Sequence, residues 1–260
     1  MILQTDLDIG RVFASSDWHG CGNVANKVLE FLNPEDTLFF LGDAIDRGPN
    51  GVAILDALFH RPNTFFLKGN HEEFLEMSAI HAPDLSWIGT NGGLPTYRDL
   101  SKDEEKYYRY QQIIKDLPTE LIYESSCGYK VILEHAGYSP FNICARTHNP
   151  LWDRRHFIES WVPFYKEGTS ESENTYLVHG HTPVQYLKYE YGYADQPSFT
   201  AKGLEDKKRW FKEGVCDKPE VIRYCDGHKF DIDMGTVLSK RIALLNLNTF
   251  ETLYFDEEDD

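Results

Sequence analysis

Apolar residues in this chain cluster in short runs that end on turn residues and acids. Arg11–Ser16, Thr37–Leu41 and Thr64–Leu67 read as buried strands. Between them the spacing becomes helical. Asn23–Leu32 carries Val24, Val28, Leu29 and Leu32 on one face behind Asn23 as a cap, and Gly51–His60 carries Val52, Leu55, Leu58 and Phe59 with Pro49 near its entry. Glu72–Ile80 continues the alternation. Strand and helix alternating in this way predict parallel strands joined by right-handed crossovers.

Further along the pattern loosens. Trp87–Leu94, with Asn91-Gly92-Gly93, reads as a loop, and Asp103–Leu117 as a charged, tyrosine-rich helix. After Pro118 come strands at Leu121–Tyr123, Lys130–Leu133 and Tyr176–Val178. Tyr186–Gly227 has no clear period: Tyr186, Tyr189, Tyr191, Tyr193, Trp210 and Phe211 are interleaved with charges. It is expected to be an excursion packed over one end of a sheet within a single domain, 1–255, because it is short for a core of its own. Strands at Lys229–Asp233, Arg241–Leu247 and Thr252–Phe255 follow, and Asp256–Asp260 reads as a solvated acidic tail.

Charge narrows the choice of partners. With 26 basic and 42 acidic side chains the formal charge is −16, a field that opposes general binding to nucleic acid or an anionic membrane. A phosphate-bearing substrate would have to be attracted locally. The five cysteines (Cys21, Cys127, Cys144, Cys216, Cys225) form no Cys-x-x-Cys pair and are odd in number. That speaks against a disulfide framework or a structural zinc knot and for a reducing, cytoplasmic setting. Met1–Gly10 holds no apolar stretch of signal-peptide length, and no window is expected to span a bilayer. Nothing in the pattern specifies an oligomeric state.

The chemistry lies at the strand ends, where open α/β sheets form their sites. Asp17-Trp18-His19-Gly20 follows the first strand, Gly42-Asp43-Ala44-Ile45-Asp46-Arg47-Gly48 the second and Gly69-Asn70-His71-Glu72 the third. Glu134-His135-Ala136-Gly137 and His179-Gly180-His181-Thr182 follow later strands. One Asp-x-x-Asp-Arg-Gly could equally be a turn with a surface ion pair. Several strands delivering Asp, His and Asn to one edge suggest a site for Mn, Fe or Zn, which accept such oxygen and nitrogen ligands. A two-metal site needs a shared anion, and Asp43 is the natural bridge, with Asp17 and His19 on one metal and Asn70, His135 and His181 on the other. Such metals would lower the pKa of a bridging water, producing a hydroxide for direct in-line attack on a phosphate. Arg47 and Arg154, the latter adjoined by Arg155, would hold the phosphoryl oxygens. His71 would act as general acid with Asp46 as its carboxylate partner. His179 is read as structural, and Asn91 and Asp233 stay outside the site.

These motifs carry a resemblance. Ser-Asp-Trp-His-Gly, Gly-Asp-Ala-Ile-Asp-Arg-Gly, Gly-Asn-His-Glu, His-Ala-Gly and Gly-His-Thr, in this order, resemble the motif set of calcineurin-like metallophosphoesterases, and more closely the bacterial and phage branch of the PPP-type serine/threonine protein phosphatases. Asn91-Gly92-Gly93, Leu151-Trp152-x-Arg154 and Asp231-Ile232-Asp233-Met234-Gly235 fit the same branch, and the likeness runs from about residue 11 to 247. Ser16 and Ala136 stand where the eukaryotic branch has glycine, and neither is a ligand. The resemblance implies an α/β fold, an αββα four-layer sandwich of two mixed sheets flanked by helices. It implies two divalent metal ions, Mn first, with Fe, Zn or Ni as alternatives, and phosphomonoester hydrolysis without a phosphoenzyme. The expected substrate is a phosphorylated protein or a small phosphoester. A symmetrical dinucleoside tetraphosphate hydrolase, whose second motif usually lacks the acid at the Asp46 position, and a 2′,3′-phosphatase are the alternatives. A non-catalytic binding module should have lost a ligand or the acid, and none is missing here.

Overall fold

The computed structural model describes residues 2–3, 10–137, 149–154, 174–185, 218–225 and 227–257. In chain order the elements are β1 (Ile2–Leu3), β2 (Val12–Ser15), α1 (Gly22–Phe31), β3 (Thr37–Phe40), α2 (Gly51–His60), β4 (Thr64–Phe66) and α3 (Asn70–Met77). A π-helical turn, Ser86–Thr90, precedes α4 (Leu94–Leu100), α5 (Glu104–Lys115), β5 (Glu120–Glu124), β6 (Lys130–Glu134) and β7 (Thr175–His179). Then follow β8 (Ile222–Tyr224), β9 (Lys229–Asp231), α6 (Thr236–Ser239), β10 (Arg241–Asn246) and β11 (Thr252–Asp256).

Two mixed sheets result. One has five strands in the order β11-β10-β2-β3-β4 and the other six, β1-β5-β6-β7-β9-β8. β2, β3 and β4 are parallel neighbours, as the alternating pattern predicts. Successive side chains of a strand point to opposite faces, and here both faces of the five-stranded sheet are apolar. Phe13, Leu38, Phe40 and Phe66 pack against Val24, Val28, Leu55, Leu58, Leu75 and Tyr110 of the helices. Val12, Ala14, Phe39, Leu41 and Leu67 face the other way, onto Val131, Leu133, Val178 and Phe230 of the second sheet. Two sheets with helices on the outside form the expected α/β sandwich. Among the described residues these helices lie against the five-stranded sheet.

Several local expectations are corrected. Asn23 does not cap α1: the helix begins at Gly22 behind Cys21 without a side-chain cap, and Asn23 Nδ2 instead donates to Glu257 Oε1 at 2.5 Å. Trp87–Leu94 is not a plain loop, because Trp87 is fully buried in the π-helical turn and Leu94 opens α4 with Pro95 in its first turn. Asp256 ends β11 and pairs with Arg241, so the acidic tail is not solvated from its first residue. The end of the Tyr186–Gly227 excursion is regular, since β8 pairs antiparallel with β9. Tyr186, Tyr189, Tyr191, Tyr193, Trp210 and Phe211 lie outside the described residues. Elsewhere strand and helix ends shift by one to three residues, the largest at α3, which ends at Met77 and not at Ile80, and Asp103 caps α5 through Oδ1, which accepts from Lys106 N at 2.9 Å.

Candidate metal and phosphate site

Asp17, His19, Asp43, Asp46, Asn70, His71, His135 and His181 converge beyond the strand ends, all of them buried. The chain reaches this arrangement through uncommon backbone. Asp17, His19, Asp43, Asp46, Arg47 and His181 all have positive φ, six of the ten non-glycine residues that do so among the described residues. Such conformations cost energy and gather where a side chain must be aimed. Two glycines make room for them. A Cβ on Gly69 would lie 2.2 Å from Asp43 Oδ1, and one on Gly180 would lie 2.2 Å from Asp17 Oδ2.

Asp43 is central. Its Oδ2 lies 3.5 Å from His19 Nε2, 3.4 Å from His135 Nε2 and 3.9 Å from His71 Nε2. Its Oδ1 accepts from the backbone N–H of His71 at 3.0 Å, at the N-terminus of α3, where an anion is favoured. Candidate ligand atoms of His19, Asp43 and His71 lie within 4.8 Å of one another, as do those of Asp43, His135 and His181. Asp43 belongs to both groups, the position expected of a bridge. Asp17 Oδ1 lies 3.7 Å from His19 Nε2, while its Oδ2 accepts from Ser16 Oγ and from His181 N. Asn70 Oδ1 is met by His135 Nε2 and by His181 Nδ1, each at 2.9 Å.

The donor set fits divalent first-row cations. It holds carboxylates, imidazoles and a carboxamide oxygen, with no thiolate. His19 Nδ1 donates to the Ile45 carbonyl at 3.0 Å and His135 Nδ1 to the Leu41 carbonyl at 2.7 Å. These bonds turn each Nε2 towards Asp43 and fix the tautomer a ligand needs.

Electrostatics follow from burial and crowding. Burial, with Arg47 nearby, holds His19 well below the usual imidazole range; burial and Arg154 do the same to His181. Burial opposes protonation of His135 too, but the Asp43 carboxylate outweighs it and raises His135 to about 9. Burial likewise works against an ionised Asp43, yet the facing imidazoles hold its carboxyl well below the usual range. Asp17 is pushed up by burial, with the Asp43 charge adding to it.

A second set of contacts organises the rim. His71 Nδ1 donates to Asp46 Oδ2 at 2.7 Å, and Trp87 Nε1 donates to the same oxygen at 2.7 Å. The exposed Arg47 guanidinium donates to His19 Nε2 at 2.8 Å and to His71 Nε2 at 3.0 Å. Arg154 reaches the opposite side, donating through Nε to His181 Nε2 at 3.2 Å and through Nη2 to the His181 carbonyl at 3.3 Å. Arg155 lies outside the described residues. His179 does not join the cluster; its Nε2 pairs with the Tyr224 hydroxyl. The structure thus brings together all ten residues singled out for metal, phosphate and acid roles.

Sequence reasoning missed two of the site's supports. Glu72 is wholly buried and accepts three backbone N–H groups, from Asp43 (2.7 Å) and Gly69 (3.0 Å) on Oε2 and from Ala44 (2.9 Å) on Oε1. A glutamate three residues after a helix N-cap is a readable capping signal. Trp87, inside a stretch read as loop, gave no such signal.

The profile of the calcineurin-like phosphoesterase family matches residues 10–228. The chain belongs to that family. Serine/threonine-protein phosphatase 1 of Salmonella typhimurium is 27% identical to this phosphoesterase over 183 residues, 67% of this chain and 80% of its own. A symmetrical bis(5′-nucleosyl)-tetraphosphatase of Legionella pneumophila is 23% identical over 233 residues, 88% of this chain and 72% of its own. A solved structure provisionally assigned as a diadenosine tetraphosphatase has a TM-score of 0.60 at 17% identity, covering 100% of this chain and 98% of that one, a likeness of fold. Family membership makes divalent metal ions part of this phosphoesterase, and the two His/Asp groups are where the described residues could bind them. No helix among the described residues is long and apolar enough to cross a membrane.

Proposed function

We propose that this phosphoesterase is a metal-dependent phosphomonoester hydrolase acting as a serine/threonine protein phosphatase, a single domain over residues 1–255 working in a reducing, cytoplasmic setting. Asp17, His19 and Asp43 would hold one divalent ion and Asp43, Asn70, His135 and His181 the other, manganese being the first choice. The bound ions supply a water of lowered pKa and neutralise charge on the phosphoryl oxygens.

The observation that carries this reading is the His71–Asp46 pair, with Nδ1 on Oδ2 at 2.7 Å beside the cluster. Cleaving a phosphoserine or phosphothreonine ester expels an alkoxide, which needs a proton as it leaves. Asp46 holds the Nδ1 proton of His71 and stabilises the imidazolium, leaving Nε2 to deliver its proton. Arg47 and Arg154, both at the rim, turn their guanidinium forks onto the non-bridging oxygens. The water oxygen bonds to phosphorus, the ester P–O bond breaks, and the His71 proton ends on the departing oxygen; the proton the attacking water gives up passes to solvent, from which His71 is reprotonated, so ester and water become alcohol and inorganic phosphate. The Salmonella relative, named as a protein phosphatase, supports the same reading. Dinucleoside tetraphosphate hydrolysis is the second reading, favoured by the name of the Legionella relative.

Initial rates on p-nitrophenyl phosphate, a phosphothreonine peptide and diadenosine tetraphosphate, each with EDTA or Mn²⁺, separate the two. Mn²⁺-dependent release of phosphate from the peptide, falling about 10²-fold or more in His71→Asn, is the expected result. Preferential cleavage of the dinucleotide moves the assignment to the second reading. Failure to turn over any of the three overturns both.

A further inference from the structure

We propose that Trp87 is a positioning residue for leaving-group protonation, its indole N–H locking the Asp46 carboxylate that in turn orients His71. The inference rests on the reading of His71 as general acid and adds a group from a separate segment to it.

Trp87 has no exposed surface, and its ring is held in the π-helical turn Ser86–Thr90. Its Nε1 lies 2.7 Å from Asp46 Oδ2, the oxygen that also takes the His71 Nδ1 proton at 2.7 Å. Asp46 Oδ1 is buried and has no hydrogen-bond partner among the described residues. Two N–H groups on one oxygen therefore set the orientation of the carboxylate. Asp46 also sits at a φ of 71°, a backbone conformation that does not hold itself.

The segment around Trp87 meets the Asp46-Arg47 turn at two more points. Asp46 N donates to Thr96 Oγ1 at 3.0 Å, and Arg47 N donates to the Gly92 carbonyl at 2.8 Å. Gly93 closes over the donor itself, since a Cβ there would lie 2.2 Å from Trp87 Nε1. A buried tryptophan must satisfy its N–H somewhere. Here the acceptor is the carboxylate that takes the Nδ1 proton of the proposed acid. Without that donor the carboxylate is held by His71 alone and can turn, and the imidazole loses its fixed partner. Misalignment of this kind lowers the rate of a proton transfer while leaving phosphate binding intact.

The test compares two aryl phosphates on the Mn²⁺-loaded full chain. p-Nitrophenolate leaves without help, whereas the more basic phenolate needs the proton. Trp87→Phe keeps an aromatic ring and removes the donor. Its kcat on phenyl phosphate should fall about tenfold, with p-nitrophenyl phosphate changed less than about twofold and both KM values within about twofold. Equal losses on both substrates, or no loss on phenyl phosphate, overturn the proposal. Site-specific 3-benzothienylalanine at position 87 keeps the indole outline with sulfur in place of N–H. The same selective loss supports the role, and wild-type rates in this protein overturn it even if Trp87→Phe fails to fold. His71→Asn, run in parallel, keeps the two readings apart. A selective loss in His71→Asn but not at position 87 removes only the Trp87 role, whereas no selectivity in His71→Asn removes the acid assignment and this inference with it.

Discussion

His179 is buried with Nδ1 donating to the Gly180 carbonyl at 3.0 Å and Nε2 accepting from the Tyr224 hydroxyl at 2.7 Å. Burial lowers its pKa to about 3. Unfolded, it titrates near the ordinary value of about 6.5. The unfolded chain therefore binds the proton first, so this residue's contribution is complete above that value and declines as pH falls towards 3. The thermal midpoint should drop steadily over that window, and His179→Gln, which can still accept and donate, should flatten the decline; melting curves from pH 7 to 4 read both. Asp36 acts in a lower window. Burial alone would raise its carboxyl, but the Arg11 guanidinium and the N–H groups of Asn33 and Arg11 outweigh it and hold Asp36 below the usual range. Its contribution is present above about pH 4 and lost below it. Asp36→Asn should therefore cost about 1–3 kcal/mol at neutral pH, with the gap to wild type closing in strong acid, as urea unfolding at the two pH values would show.

Among the elements, α3 joins two of the motif loops. Its first turn supplies Asn70 and His71 to the site, while Glu72, one residue on, points back and holds the backbone of Gly69, Asp43 and Ala44. Burial and the neighbouring Asp43 charge raise the Glu72 carboxyl to about 7, so it is a costly group to keep there. Three buried N–H groups depend on it, and Glu72→Gln turns an N–H₂ towards at least one of them. Each unsatisfied donor costs about 1–3 kcal/mol, and loss of a ligand's support commonly weakens metal binding about 10- to 100-fold. Mn²⁺ titration of Glu72→Gln should show that weakening with circular dichroism unchanged; unaltered metal affinity would mean the brace is dispensable.

For the whole molecule, the candidate ligands come from both sheets. Asp17, His19, Asp43 and Asn70 follow strands of the five-stranded sheet, and His135 and His181 follow β6 and β7 of the other. The unfolded chain cannot assemble such a set, so a cation bound there favours the folded state. Mn²⁺ at about 100 times its Kd should add about 2.7 kcal/mol, seen as a rise in thermal midpoint that EDTA reverses. Asp43→Asn, which removes the carboxylate common to both groups, should abolish most of that rise.

Strand-end motifs, the parallel β2-β3-β4 core and the set of residues that converge were legible in the chain because each is written locally. Short continuous apolar runs bounded by turn residues make strands buried on both faces, and the residue after a strand must leave at its end. Other features were not written locally. Trp87 meets Asp46 across 41 positions, and His181 meets Asp17 across 164. Asn23 found Glu257 instead of its own helix end, because a neighbouring element offered a better partner than the cap did. Positive φ at six site residues is likewise a product of packing, since nothing in Asp, His or Arg imposes it. Sequence by itself determined which side chains are present at the strand ends and hence the class of chemistry. Tertiary structure alone decided which distant donors hold the Asp43 and Asp46 carboxylates in place, because those contacts form only when the two sheets and the helices close on one another.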